Sequence, residues 1–377
     1  MAFRMIPFLV LKEVMWTLVR RLVLRRKRVE SWNLQLECTV GAIRAALSAM
    51  VSERDVWIYE HGDDQEKQQL VQKRVGFEST MDSMTASSKP FPGCLVTPDS
   101  IAGMKAEWYI PKQVADGIRV NCEQPGSQAV AWRKTDGKRR QVVLYMHGGA
   151  FVTGSVNQYR LIVSRLAATA GISVLGFEYR LMPKHRFGDI LDDALTAYSH
   201  LRDACGLSPE NIVLAGDSAG GHLAFVLALH LKKTKNEVPG ALLTIAPWVD
   251  PVMASEASRM GFQKNRHVDI LGTASHFLKL GSLAFSKEDQ YGSLLSPALV
   301  SQLAEHLPRC LIQVGDKDCF HESIVEFQRL VNGSGGKLQL EVYKDQVHGF
   351  NGIGDVSPAA QESYDSMSKF LHTFMQL

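Results

Sequence analysis

The chain has 377 residues, 45% of them hydrophobic and 21% charged, a balance that excludes a disordered or fibrous protein and leaves material for a large buried core. Its formal net charge of +3 is too small to imply a nucleic acid or another polyanionic partner. Six cysteines, at 38, 94, 122, 205, 310 and 319, show neither CxxC spacing nor histidines at metal-ligand intervals. They read as reduced thiols of a cytosol-facing protein.

Taken in chain order, the first feature is a concentration of charge. Residues 1–30 carry Arg4, Lys12, Arg20, Arg21, Arg25, Arg26, Lys27 and Arg28 against Glu13 and Glu30, a segment charge of +6 that leaves −3 on the remainder. Lys12 and Glu13 interrupt the apolar run, so a secretory signal and a spanning helix of about 20 apolar residues are both disfavoured. On a helical wheel Lys12, Glu13, Thr17, Arg20 and Arg21 share one half, with Trp16 intruding. Leu11, Val14, Met15, Leu18 and Leu22 fall mainly on the other. Two expectations follow: a helix covering the protein's own substrate pocket, or an amphipathic helix making contact with an anionic membrane surface.

Residues 31–60 have helical periodicity, with Leu34, Leu36, Val40, Ile43, Leu47 and Met50 at three- and four-residue steps. From Glu60 to Pro98 the chain is polar and rich in Ser, Met and Pro, and is expected to be an irregular connection. Short β-rich runs follow at 105–110 and 128–132. Strands are then expected at 141–146, 172–179, 211–216, 240–246, 310–315 and 338–344, the last more alternating than the others. Helical patterns lie between them at 157–170, 188–204, 219–233 and 321–332. Near-continuous apolar strands alternating with helices predict an α/β protein, a mostly parallel sheet covered on both faces. Residues 252–300 break this rhythm with helix-like pieces and are a natural cap insertion. The expected organisation is an N-terminal helical or cap segment at 1–100 and a main domain at 101–377.

Two motifs carry chemistry. Gly216-Asp217-Ser218-Ala219-Gly220 follows the strand ending near 215 and precedes an apolar helix. That setting puts a serine hydroxyl on a sharp strand-to-helix turn, with small neighbours and helix amides aimed at developing negative charge. His147-Gly148-Gly149-Ala150-Phe151 ends strand 141–146, where a glycine-rich loop can offer unobstructed main-chain donors to an oxyanion. His147 itself is expected to be structural. His185, His222, His230 and His321 lie on or beside helices and read as surface or packing residues.

A base should follow the last strand. His348 occupies the Gly-containing loop Asp345–Phe350 just beyond it. The acid should come from the end of strand 310–315, where Asp316 and Asp318 both stand; Asp318 lies thirty residues before His348. No metal or organic cofactor is required by this set.

At these motifs the chain resembles the hormone-sensitive lipase family of esterases. HGGA-F is similar to that family's HGGG loop, with Ala150 in place of the usual third glycine, and GDSAG to its nucleophile elbow. Further resemblance lies in Glu178–Pro183, Asp193 and Pro247–Asp250. It extends from about residue 105 to the C-terminus and is weak or absent before that. The resemblance implies an α/β-hydrolase fold with a helical cap. It implies a Ser218–Asp318–His348 triad, the acid favoured by Phe320 and Glu322 standing at the family's spacing. It also implies an oxyanion hole from the Gly149, Ala150 and Ala219 amides, with Gly148 shaping the loop. The expected activity is hydrolysis of a hydrophobic ester, with a short acyl or acetyl group, through an acyl-enzyme. Amide hydrolysis and acyl transfer share that intermediate and are alternatives. A non-catalytic small-molecule receptor is the alternative from another class.

Overall fold

A computed structural model of the protein describes residues 2–19, 28–115, 141–286 and 289–375. The expected strand at 128–132, Cys122, Leu22 and the basic residues 20, 21 and 25–27 lie outside the described residues.

Four helices come first: α1 (Ala2–Leu18), α2 (Leu34–Met50), α3 (Glu53–His61) and α4 (Asp64–Thr85). Then β1 (Cys94–Ile101), β2 (Met104–Pro111) and the short α5 (Lys112–Ala115) lead to β3 (Val142–Met146), α6 (Val156–Ala170), β4 (Ser173–Phe177) and α7 (Phe187–Ser199). The chain continues through β5 (Ile212–Asp217), α8 (Ala219–Lys235), β6 (Ala241–Ile245), α9 (Glu256–Asn265), α10 (Ser275–Ser282) and α11 (Pro297–His306). It closes with β7 (Arg309–Gly315), α12 (His321–Gly333), β8 (Leu338–Tyr343) and α13 (Pro358–Met375).

The eight strands form one sheet in the order β1-β2-β4-β3-β5-β6-β7-β8. β1, β2 and β4 pair antiparallel, and every pair from β4 through β8 is parallel. The interior strands β3, β4 and β6 are buried at every position, because helices cover both faces. β8, an edge strand, is buried only at its ends, Leu338 and Tyr343.

Two expectations for the N-terminal hundred residues are corrected. The helical stretch 31–60 is two helices: the chain is extended at Val51 and Ser52, and Ser52 starts α3 with a capping box to Asp55. Although Leu34–His61 is long and apolar enough by composition to cross a membrane, that break divides it. The supposedly irregular 60–98 contains the 22-residue α4 and most of β1. α4 is polar and buries only Leu70 and Arg74 fully, so its apolar periodicity is weak. Its start was nonetheless marked, by the capping box of Asp63 with Glu66. β1 carries Pro98 and Asp99, which is tolerated at a sheet edge.

The main core is built on the sheet, with a smaller apolar cluster of Val29, Trp32, Leu36 and Val40 around Val347. That second cluster fastens the N-terminal helices onto the loop after β8. The same contact is reinforced by Trp32 Nε1 donating to the Asp345 carbonyl at 2.7 Å and Ser31 Oγ donating to its carboxylate at 2.8 Å.

Candidate active site

Ser218 stands between the C-terminal end of β5 and the first turn of α8, with φ 53° and ψ −119°. A non-glycine residue there is strained by roughly 1–3 kcal/mol, and the surroundings must hold it. Ser218 N donates to Ile245 O and Trp248 N donates to Ser218 O, both at 2.9 Å. A Cβ at Gly220 would overlap the main-chain oxygens of Met146 and His147, so only glycine lets α8 start this close to β3.

The loop after β3 bends through Gly149, Ala150 and Phe151, all at positive φ. At Gly149 a Cβ would overlap the Thr153 carbonyl. The Gly148 amide donates to Asp217 Oδ1 at 3.0 Å, which leaves it a shaping role. Gly149 and Ala150 amides have no protein acceptor among the described residues, and Ala219 opens α8 with an amide free of the helical ladder. Gly149 and Ala150 line the cavity that Ser218 enters, and Ala219 follows Ser218 directly in the chain.

Asp217 is the centre of a buried network that the sequence did not reveal. Its carboxylate accepts from Tyr145 Oη at 2.9 Å and Tyr159 Oη at 3.0 Å, besides Gly148 N. Burial raises its pKa, against the lowering effect of these donors. His147 is also buried. Its ring lies flat on Tyr179 at 4.1 Å, and Nδ1 donates to Gly148 O at 2.7 Å in the tautomer this partner requires. Burial pushes its pKa down to about 4, so it is a neutral brace. His222 is likewise a buried packing residue, pushed down to about 4 by burial.

At the far side of the cavity His348 Nδ1 and Asp318 Oδ2 meet at 2.8 Å. Asp318 is fully buried, follows β7, and also accepts from Phe320 N at 2.7 Å. Phe320 sets its edge against the His348 ring at 5.0 Å and stacks on Trp248, which holds the imidazole from the side. Asp316, the other candidate acid, points away: it accepts from Asp345 N at 2.6 Å and pairs with Lys317 at 3.2 Å. Burial works to lower the His348 pKa, but the Asp318 charge and hydrogen bond, with the charges of Asp269 and Asp217, outweigh it and push it up to about 9.

Ser218 and His348 line one cavity of about 360 Å³. Among the described residues no hydrogen bond joins Ser218 Oγ to His348, a common condition before substrate binds. The cavity walls are mainly apolar: Ile43, Leu47 and Met50 of α2, Met81 of α4, and Ile270, Leu271, Phe277 and Leu278 of the 252–300 segment. Among the described residues none from 1–30 lines it. Among the described residues, the N-terminal part of the wall comes from α2 and α4.

Another carboxylate, Asp269, was not singled out from the sequence. It is fully buried beside the His348–Asp318 pair and accepts from His348 N at 2.8 Å. No local motif announces it, since its partners are distant in the chain.

The family described as having the alpha/beta hydrolase fold matches residues 143–352. An esterase of Mycobacterium tuberculosis, LipU, is 36% identical over 241 residues, 63% of this chain and 78% of that protein. An acetyl-hydrolase of Streptomyces hygroscopicus is 29% identical over 248 residues, 66% of this chain and 81% of the relative. Among solved structures, an esterase from the bacterial hormone-sensitive lipase family superposes with a TM-score of 0.67 at 23% identity, covering 92% of this chain and 99% of that one.

Proposed function

From a chain that belongs to the α/β-hydrolase fold family and hydrolyses carboxylic esters, we propose a serine mechanism in which Ser218 is the nucleophile, His348 the base and Asp318 the acid. The observation that carries this reading is the buried 2.8 Å His348–Asp318 contact on the wall of the cavity that Ser218 enters. An ester carbonyl seated over Ser218 is attacked as His348 Nε2 takes the serine proton. The oxyanion is met by the amides of Gly149, Ala150 and Ala219. His348 returns its proton to the departing alcohol, and water repeats the sequence on the acyl-enzyme. Asp318 holds the tautomer and balances the imidazolium.

The substrate is a hydrophobic ester with a short acyl or acetyl group. A mainly apolar cavity near the small end of the usual ligand-site range supports this, as does the acetyl-hydrolase activity named for the Streptomyces relative. The cap is formed by the N-terminal helices within residues 1–100 and by the 252–300 segment over the domain at 101–377. Full-length Ser218→Ala, assayed on esters of graded acyl length, tests the reading: turnover falls about 10⁴-fold or more for every ester that the native protein cleaves. Retained turnover contradicts it.

Residues 1–30 carry a second proposal, contact with an anionic membrane surface. α1 turns a mainly apolar face to water: Thr17 is buried and Glu13 pairs with Arg28 at 2.6 Å, while Leu11 and Met15 are 60% and 52% exposed and Lys12, Trp16 and Val19 are exposed beside them. A mainly apolar outer face that also carries Lys12, within a segment of charge +6, is complementary to negatively charged lipid.

A further inference from the structure

Asp269 stands within the 252–300 segment, between α9 and α10, and is fully buried. Its carboxylate accepts three main-chain amides. Oδ1 takes Ile270 N at 2.7 Å, which caps the short 3₁₀ turn that follows, and also His348 N at 2.8 Å. Oδ2 takes Cys319 N, next to Asp318, at 2.7 Å. The local cap needs only the first of these bonds. The other two reach a loop after β7 and a loop after β8, which also meet directly through Asp345 N on Asp316, Lys317 N on the Gln346 carbonyl and the His348–Asp318 contact.

We propose that Asp269 is a positioning residue for ester hydrolysis, a carboxylate from the cap segment that sets the His348 and Asp318 loops in register and adds a negative charge beside the imidazolium. The inference rests on the serine mechanism proposed above. Its geometric part follows from where the bonds attach. The His348 amide fixes the main chain from which the imidazole hangs, and the Cys319 amide fixes the turn that aims Asp318. Asn265, on the same segment, supports this by donating to the Asp318 carbonyl at 2.8 Å and the Asp316 carbonyl at 3.2 Å. A displacement of the base by 1 Å can lower turnover about 100-fold.

The electrostatic part involves every element packed against the pair. Asp318 and the Cys319 thiol face Asp269 from the β7 end, and His348 faces it from the β8 end. Arg44 of α2 donates to the Asp269 carbonyl and to that of Arg266, and Arg44 in turn faces Glu13 and Arg28. Asp217 faces His348 from the elbow. Burial and the Asp318 charge push the Asp269 carboxyl up to about 6, against the His348 charge and the amide donors. Above that value the site holds its negative charge, which favours the imidazolium formed as Ser218 attacks.

The test is full-length Asp269→Asn, assayed for kcat and KM against pH on p-nitrophenyl acetate. Expected are a fall in kcat of about 10- to 100-fold with KM changed less than about twofold, and an acid limb of kcat/KM moved at least ~0.5 unit to lower pH. The limb moves down because a negative charge that favours protonated His348 has been removed. A kcat within about threefold of native, or an unmoved limb, overturns the proposal. Should Asp269→Asn fail to fold, Arg44→Met frees the Asp269 carbonyl from outside the site. Lower kcat at unchanged KM then supports the proposal, and unchanged kcat overturns it. Ser218→Ala and His348→Ala run alongside. Activity surviving in those two overturns the serine mechanism, whereas their inactivity beside a normal Asp269→Asn overturns only the role of Asp269.

Discussion

A histidine pushed up to about 9 is mostly protonated at neutral pH, and only its neutral form accepts the Ser218 proton. The rate therefore rises with pH through the His348 value, and the acid limb of kcat/KM is expected above the ordinary 6.5. A limb at or below 6.5 contradicts the buried, doubly flanked imidazole. The stability linkage has the opposite sense: a raised histidine value contributes stability that is full below about 6.5 and lost as pH rises through about 9. The acid is tested by a pair of substitutions. Asp318→Asn is expected to lower kcat about 10⁴-fold, and Asp316→Asn to leave it within a fewfold. A reversal would move the acid by two residues. The Asp318–His348 contact agrees with the spacing that the family resemblance implies, one helix and one strand between two loops. Asp269 was not legible in the sequence, because it stands 79 residues from His348 and becomes a neighbour only when the cap segment folds over the sheet. The Tyr145–Asp217–Tyr159 network was hidden for the same reason.

At the scale of elements, the parallel strands were legible because burial on both faces demands continuous apolar runs such as Val142–Met146 and Ile212–Ala215. α4 was not, since a helix resting one narrow stripe on the body keeps a polar composition. Its contribution matters, because Met81 and the α2 residues Leu47 and Met50 form the cavity wall. Leu47→Ala with Met81→Ala is expected to extend acyl-length tolerance by a few methylenes while acetyl ester turnover persists. An unchanged chain-length profile would remove these helices from the substrate wall. α10 reaches the Gly149–Phe151 loop, the one proposed to hold the oxyanion: a Cβ at Gly281 would overlap the Ala150 carbonyl. Gly281→Ala should displace that loop and lower kcat about tenfold or more, with a smaller effect on KM. Native kcat in a folded Gly281→Ala protein would show that the loop tolerates the push.

For the whole molecule, the cavity is walled by pieces distant in sequence, and α1 forms a further layer on α2 with Leu11, Lys12, Met15 and Trp16 outward. The wheel drawn from the sequence divides α1 differently from the fold: Lys12 and Trp16 of its polar half are exposed together with Leu11 and Met15 of its apolar half, while Glu13 and Thr17 turn inward beside Val14 and Leu18. That depends on Glu13 and Thr17 finding Arg28 and Gly41. If the outer face rests on lipid, the full-length protein binds anionic vesicles, and binding weakens as salt rises, with about 1 kcal/mol from each basic residue near the surface. Leu11→Ser, Met15→Ser and Trp16→Ser together should abolish that binding and leave soluble-ester kinetics unchanged. Equal binding by the triple variant contradicts the proposal.

The serine mechanism is reached most directly by labelling the native protein with an organophosphonate and mapping the adduct by mass spectrometry while activity is followed. The account predicts one equivalent of label on Ser218, with ester hydrolysis lost in proportion to its occupancy. An adduct on another residue that tracks the loss of activity, or hydrolysis that persists with Ser218 fully modified, would contradict it.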